Sequence, residues 1–205
     1  MDELDILKKD WHKNGSNFKQ VDENQIYAML KKNSSSIVKW ILVISIVEFV
    51  ILRLVDVYFL FDEKYSNLLE TYHLNKIEIV IDVVNYTVLL YFIYQFYKNF
   101  KTIKSTDSVK QLTKSILKTR KTVKQYVVFN LGLVFVYTLI GFKSQIKYDP
   151  VISKHYENFT LEIILIASVV ILVFLLLIWF FYKILYGFLL EKLNRNYADL
   201  KKLDI

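Results

Sequence analysis

Cysteine is absent from this sequence, which excludes disulfides and thiolate metal sites. Proline occurs once and glycine four times; alanine is also scarce, while Lys, Ile, Asn and Tyr are abundant. AT-rich codons produce that bias, which points to a low-GC bacterial genome. There is no GxSxG, no HExxH and no phosphate-binding glycine loop. The Ser34–Ser36 run has no nearby base. These absences argue against an enzyme, and neither a cofactor nor a metal is expected. The first 36 residues are polar and no small-residue cleavage site follows a short apolar core, so no cleavable signal peptide is expected. The first apolar run then serves as the targeting signal.

Apolar residues are what the chain has in excess. They make up 54% of it, with a mean hydropathy of +0.30, and they clump into four runs at about 37–61, 77–97, 123–142 and 161–190. A hydrocarbon core of roughly 30 Å takes about 20 helical residues, which each run supplies. Lipid offers no partner for backbone polar groups, so each run is expected to be helical. Barrel strands would alternate polar and apolar residues, and these runs do not.

Basic residues set the orientation. The segments before span one (with Lys39), between spans two and three (with Lys124), and from Lys183 to the end hold 21 Lys/Arg, against 5 in the other two loops. The positive-inside rule puts both termini in the cytoplasm of a bacterial inner membrane. The net charge of +7 then reflects topology and attraction to anionic lipid rather than nucleic acid.

Apolar stripes continue beyond the spans at helical spacing: Ile26, Leu30 and Ile37; Phe96, Phe100 and Ile103; Val109, Leu112, Ile116 and Val123; Leu189, Leu193, Tyr197 and Leu200. Asp22 is the expected N-cap of the first helix, with Gln25 three residues on. Asp107 or Ser108 is expected to cap the helix after the STDS turn. The reading is all-α: a four-helix transmembrane bundle with cytoplasmic helical extensions. Residues 1–36 form a cytoplasmic head and 37–205 the bundle, with a cytoplasmic hairpin at 98–122 and a C-terminal helix at 191–205. The lipid bilayer is the expected partner, and the sequence leaves a homo-oligomer open.

Two groups of residues invite a function. Leu4, Leu7 and Trp11 fall on one face of a short amphipathic arm that NGSN separates from the rest. Such an arm can pack back on the bundle, lie in the lipid interface or dock on a soluble protein. The second group, Glu48, Arg53, Asp56, Asp82 and Asn85, places charge inside spans one and two, where it is expensive and by default suggests function. Arg53 is expected to bridge Asp56 and Asp82. Glu48 is expected to turn inward, with Asn130, Tyr137 or Tyr86 as hydrogen-bond partner. Interhelical glue and a proton or ion path are the two readings of this cluster. Span four, apolar all round, speaks against a wide pore. His73 and His155, beside Glu70 and Glu157, could form a weak metal or pH-sensing site, with solvated loop residues as the alternative.

The run YAMLKKNSSSIVKWILVISIVEF, with the opening LDILKKDW, resembles short bacterial inner-membrane proteins of unknown function, often labelled beta-carotene monooxygenase. Residues 1–60 carry the resemblance, which is architectural beyond them. The oxygenase label implies a β-propeller holding iron with four histidines. This chain has three histidines and no strand pattern, so that chemistry is not expected. LDILKKDW is also similar to the start of some cytoplasmic heads of membrane anti-sigma proteins. The expected function is a non-enzymatic regulatory or scaffold protein whose cytoplasmic head binds a soluble partner. The alternative is a small transporter or ion- or proton-conducting protein using the intramembrane acids.

Overall fold

A computed structural model describes residues 22–203, without the side chains of residues 155–160 and 203. The arm residues Leu4, Leu7 and Trp11 lie outside the described residues. Five helices follow one another: α1 (Glu23–Leu60), α2 (Glu63–Thr71), α3 (Asn75–Ser105), α4 (Val109–Tyr148) and α5 (Pro150–Leu203). Helices α3 and α4, and α5 from Leu161 to Lys202, are long and apolar enough to cross a membrane. Helix α1 is also long, at 38 residues, and carries Lys39, Glu48, Arg53 and Asp56.

The four long helices run up and down as neighbours in a ring: α1 beside α3, α3 beside α4, α4 beside α5, and α5 back beside α1. Short connections force this antiparallel order. One end of the bundle, here the near end, holds the start of α1, the α3–α4 turn and the end of α5. The far end holds α2 and the α4–α5 corner.

At 1.5 Å per residue α1 is about 57 Å long and α5 about 81 Å, well beyond a hydrocarbon core of roughly 30 Å. The helices therefore project past any bilayer they cross. The core lies toward the near end. Ile37, Phe96, Ile103, Leu112, Ile116, Val123, Leu193 and Leu200 are buried there, and Leu30, Phe100, Val109, Leu189 and Tyr197 pack around them. The apolar stripes have closed on one another. Elsewhere apolar side chains face outward: Val50, Leu54, Val83, Leu165, Val169 and Leu176 are all exposed. An apolar belt of this extent is what lipid, not water, accommodates.

The helix ends depart from the sequence reading in several places. Asp22 stands at the N-cap of α1, but its side chain caps no backbone N–H; it accepts from Asn24 at 3.1 Å. Ser108 is the N-cap of α4 without a side-chain bond, and Asp107 instead pairs with Lys31 at 3.0 Å. Tyr27 donates to the Thr106 carbonyl at 3.1 Å, so α1 is tied to the near-end turn. The segments expected to be far-end loops are largely helical. Residues 63–71 form α2, and between α4 and α5 only Asp149 is non-helical. Polar residues do not by themselves end a helix; the break falls at the chain's one proline.

Asp149 and Pro150 make that break. Asp149 has extended backbone angles, and its carboxylate accepts from the N–H groups of Val151 at 2.9 Å and Ile152 at 3.0 Å. Pro150 occupies the first helical position, where no N–H is needed. Tyr72 donates to the same carboxylate at 3.1 Å. The Ile152 and Val151 donors hold the Asp149 carboxyl below the ordinary Asp value. Its cap is thus complete above that ordinary value, about 3.9, and is lost as pH falls through the lower folded value. Amide exchange at Ile152 should therefore show no cap-linked acceleration until the pH drops below about 3.9. Loss of protection between about pH 5 and 7 would contradict this account of the corner.

Candidate functional site

Three polar groupings lie along the bundle. The first is in the near-end core. Ser34 accepts from the Asn196 amide at 3.0 Å, and Asn33 donates to the Asn196 carbonyl oxygen at 3.2 Å. Asn99 donates to Thr122 at 3.3 Å. Ser34, Asn196 and Asn99 are buried, so each must find partners within the protein, and these bonds fix which residues meet.

The second centres on Glu48. Tyr182 donates to one carboxylate oxygen at 2.5 Å and Tyr186 to the other at 3.0 Å. Tyrosines four apart on α5 share a face and stand one turn above the other, so together they span one carboxylate. The Tyr126 ring meets both of theirs edge-on, at 6.1 and 5.7 Å between centroids. The Tyr126 hydroxyl also faces Glu48 but has no partner at hydrogen-bonding geometry. Glu48 does turn inward, but none of the expected partners holds it. Asn130 donates to the Tyr126 carbonyl at 2.8 Å. Tyr86 lies edge-on to Phe49, and Tyr137 is next to Tyr65. Reading span four as uniformly apolar hid the two tyrosines.

A register signal could have found them. Ser34 to Glu48 along α1, and Asn196 back to Tyr182 along α5, cover the same number of residues. One antiparallel alignment thus makes both contacts.

The third grouping is at the far end. Arg53 does not bridge Asp56 and Asp82: neither acid is within 4.0 Å of it, and its guanidinium lies over the Tyr86 ring at 5.0 Å. The ring face offers an electrostatic partner and also packs. Both acids still feel the Arg53 charge, and Asp56 feels Asp82. Glu78 accepts a hydrogen bond from Tyr65, and Tyr137 is beside Tyr65, Glu78 and Asp82. The Asn85 side-chain oxygen is buried without a partner. The expected cluster is therefore two groupings, with Glu48 apart from Arg53, Asp56 and Asp82. His73 packs edge-on against Tyr148 at 4.4 Å, while the side chains of His155 and Glu157 lie outside the described residues. No group of acids and histidines is arranged to hold a metal among the described residues.

Beside this third grouping a pocket of about 940 Å³ opens between α4 and α5. Leu133, Gly141, Ile163, Ala167 and Phe174 are among its walls, and Tyr137 is one of its few polar residues. It ends at Ile178, one turn from Tyr182. The same helix faces that are packed near the Ser34–Asn196 contact are here left apart.

No curated protein and no solved structure matches the chain. One family does, over residues 24–205. That match covers all four long helices, so the chain belongs to the family described as a domain of unknown function, DUF8845.

Proposed function

We propose that this chain is a non-enzymatic, four-span protein of a bacterial inner membrane, and that it regulates or scaffolds a soluble partner at its cytoplasmic face. In this reading α1 is the fourth span and the near end is cytoplasmic. The observation that carries it is the contrast between the two ends. The near end is a closed bundle whose Ser34–Asn196 and Asn99–Thr122 contacts specify one arrangement, and it carries most of the basic side chains. A rigid, charged stub suits the display of a docking surface better than it suits passage of a solute. Leu4, Leu7 and Trp11 are the proposed contact residues.

The conducting alternative rests on Glu48, Asp56 and Asp82. Against it stands the Glu48 carboxylate itself, whose oxygens are both taken by tyrosines. Toward the near end the buried Ile41, Val38 and Ile37 separate Glu48 from Ser34.

Crosslinking in living cells, followed by purification and mass spectrometry, tests the reading. Wild type should retain a soluble protein that Leu7→Ala/Trp11→Ala loses. An unchanged set of partners after deletion of residues 1–20 would sink it. Orientation is checked on the cysteine-free background: in spheroplasts an impermeant maleimide should label Ser66→Cys and spare Ser108→Cys. The opposite pattern would invert the topology.

A further inference from the structure

We propose that the far-end pocket binds a lipophilic cation. The proposal is independent of the partner-binding reading and of which face is cytoplasmic.

The pocket's size sets the first constraint. About 940 Å³ is near the top of the roughly 300–1,000 Å³ range of small-molecule sites. Its walls set the second. Leu133, Gly141, Ile163, Ala167 and Phe174 offer a ligand almost nothing but apolar contact, so the occupant is bulky and largely apolar.

Charge sets the third. Tyr137 belongs both to the pocket wall and to the far-end polar grouping, next to Glu78 and Asp82. Asp56 adjoins Asp82. Three carboxyl groups thus gather behind Tyr137, outside the pocket's own lining. Among the described residues the base that acts on Asp56 and Asp82 is Arg53, whose guanidinium stacks on Tyr86 and makes no ion pair. An anion entering the pocket would meet these acids as repulsion. A neutral molecule would gain nothing from them. A cation with apolar substituents satisfies both sides of the site, its charge toward Glu78 and Asp82 and its bulk against α5. Tyr137 and Phe174 add ring faces that attract positive charge. In a low-dielectric surrounding, such attraction is stronger than it would be in water.

Gly141 supplies a way to narrow the site. It lines the pocket, and a Cβ there would meet no atom within 4 Å. Gly141→Leu therefore puts a side chain into the pocket, its first carbon meeting no neighbour. Gly132 has the same open surroundings and does not line the pocket, so Gly132→Leu is its control.

The test uses the full chain in phosphatidylcholine nanodiscs with tetraphenylphosphonium as probe, followed by equilibrium dialysis. Saturable binding is expected in wild type and Gly132→Leu and is expected to be weakened in Gly141→Leu. The pair Glu78→Gln/Asp82→Asn should weaken it by about tenfold or more. Neutral triphenylphosphine oxide should fail to compete. Absence of saturable binding overturns the proposal, as does equal competition by the neutral mimic. Binding of unchanged affinity in Gly141→Leu also overturns it, by placing the probe elsewhere. A co-purifying lipid that tetraphenylphosphonium cannot displace would make the pocket a lipid seat. If the acid double variant does not fold, Gly141→Leu and the neutral competitor still decide the matter.

Discussion

Leu193→Ala should cost about 2–5 kcal/mol of bundle stability, whereas Leu176→Ala on the same helix should cost under about 0.5 kcal/mol. The chemistry of the two changes is identical. Leu193 is 0% exposed at the near end and Leu176 is 53% exposed in the apolar belt. Removing the Leu193 side chain loses both its transfer out of water and the packing around it. At position 176 a lipid tail replaces the lost contacts, because lipid is as apolar as leucine. Thermal denaturation in detergent or reversible unfolding in bicelles would measure both. Equal costs would mean that the near end is not the more tightly packed half of the molecule.

Glu48→Leu should cost about 2 kcal/mol, or about 1 kcal/mol for each of the two tyrosine hydroxyls it leaves without an acceptor. Tyr182 and Tyr186 are buried, so neither hydroxyl can turn to water. Adding Tyr182→Phe and Tyr186→Phe to Glu48→Leu should return part of that loss, since the orphaned groups are then gone. Glu48→Gln keeps one acceptor oxygen and should fall between wild type and Glu48→Leu. A double-mutant cycle between positions 48 and 182 is the direct measurement. Strict additivity there would mean that the contact carries no coupling energy and that Glu48 is held by something else.

The sequence made the near-end core legible and the far end much less so. Periodicity named Ile37, Phe96, Ile103, Leu112, Ile116, Val123, Leu193 and Leu200 as apolar stripes, and all are buried. Those positions are read from one helix at a time, and each stripe has only one place to go. The partner of Glu48 needed a relation between two helices far apart in sequence. Nothing in α5 alone separates Tyr182 from the aromatic residues around it. Arg53 failed for a different reason. Opposite charges at matching depth suggested a bridge, but the nearby Tyr86 ring takes the guanidinium face. The helical corner at Asp149 was written in the Asp-Pro pair, yet the surrounding polar residues read as loop. The far-end pocket left no one-dimensional trace, because its walls have the same composition as a packed interface. What distinguishes them is a separation between helices.

The equal spacing of the Ser34–Asn196 and Glu48–Tyr182 contacts has a mechanical consequence. These two contacts act as pins in a vernier: both engage at one alignment of α1 and α5. Sliding either helix by a turn, about 5.4 Å, would release both pins together. A piston stroke between these helices is therefore costly throughout its travel. Rotation or bending of the far-end segments, beyond the upper pin, disturbs neither contact. Any signal that crosses this protein along α1 and α5 must travel as twist or tilt.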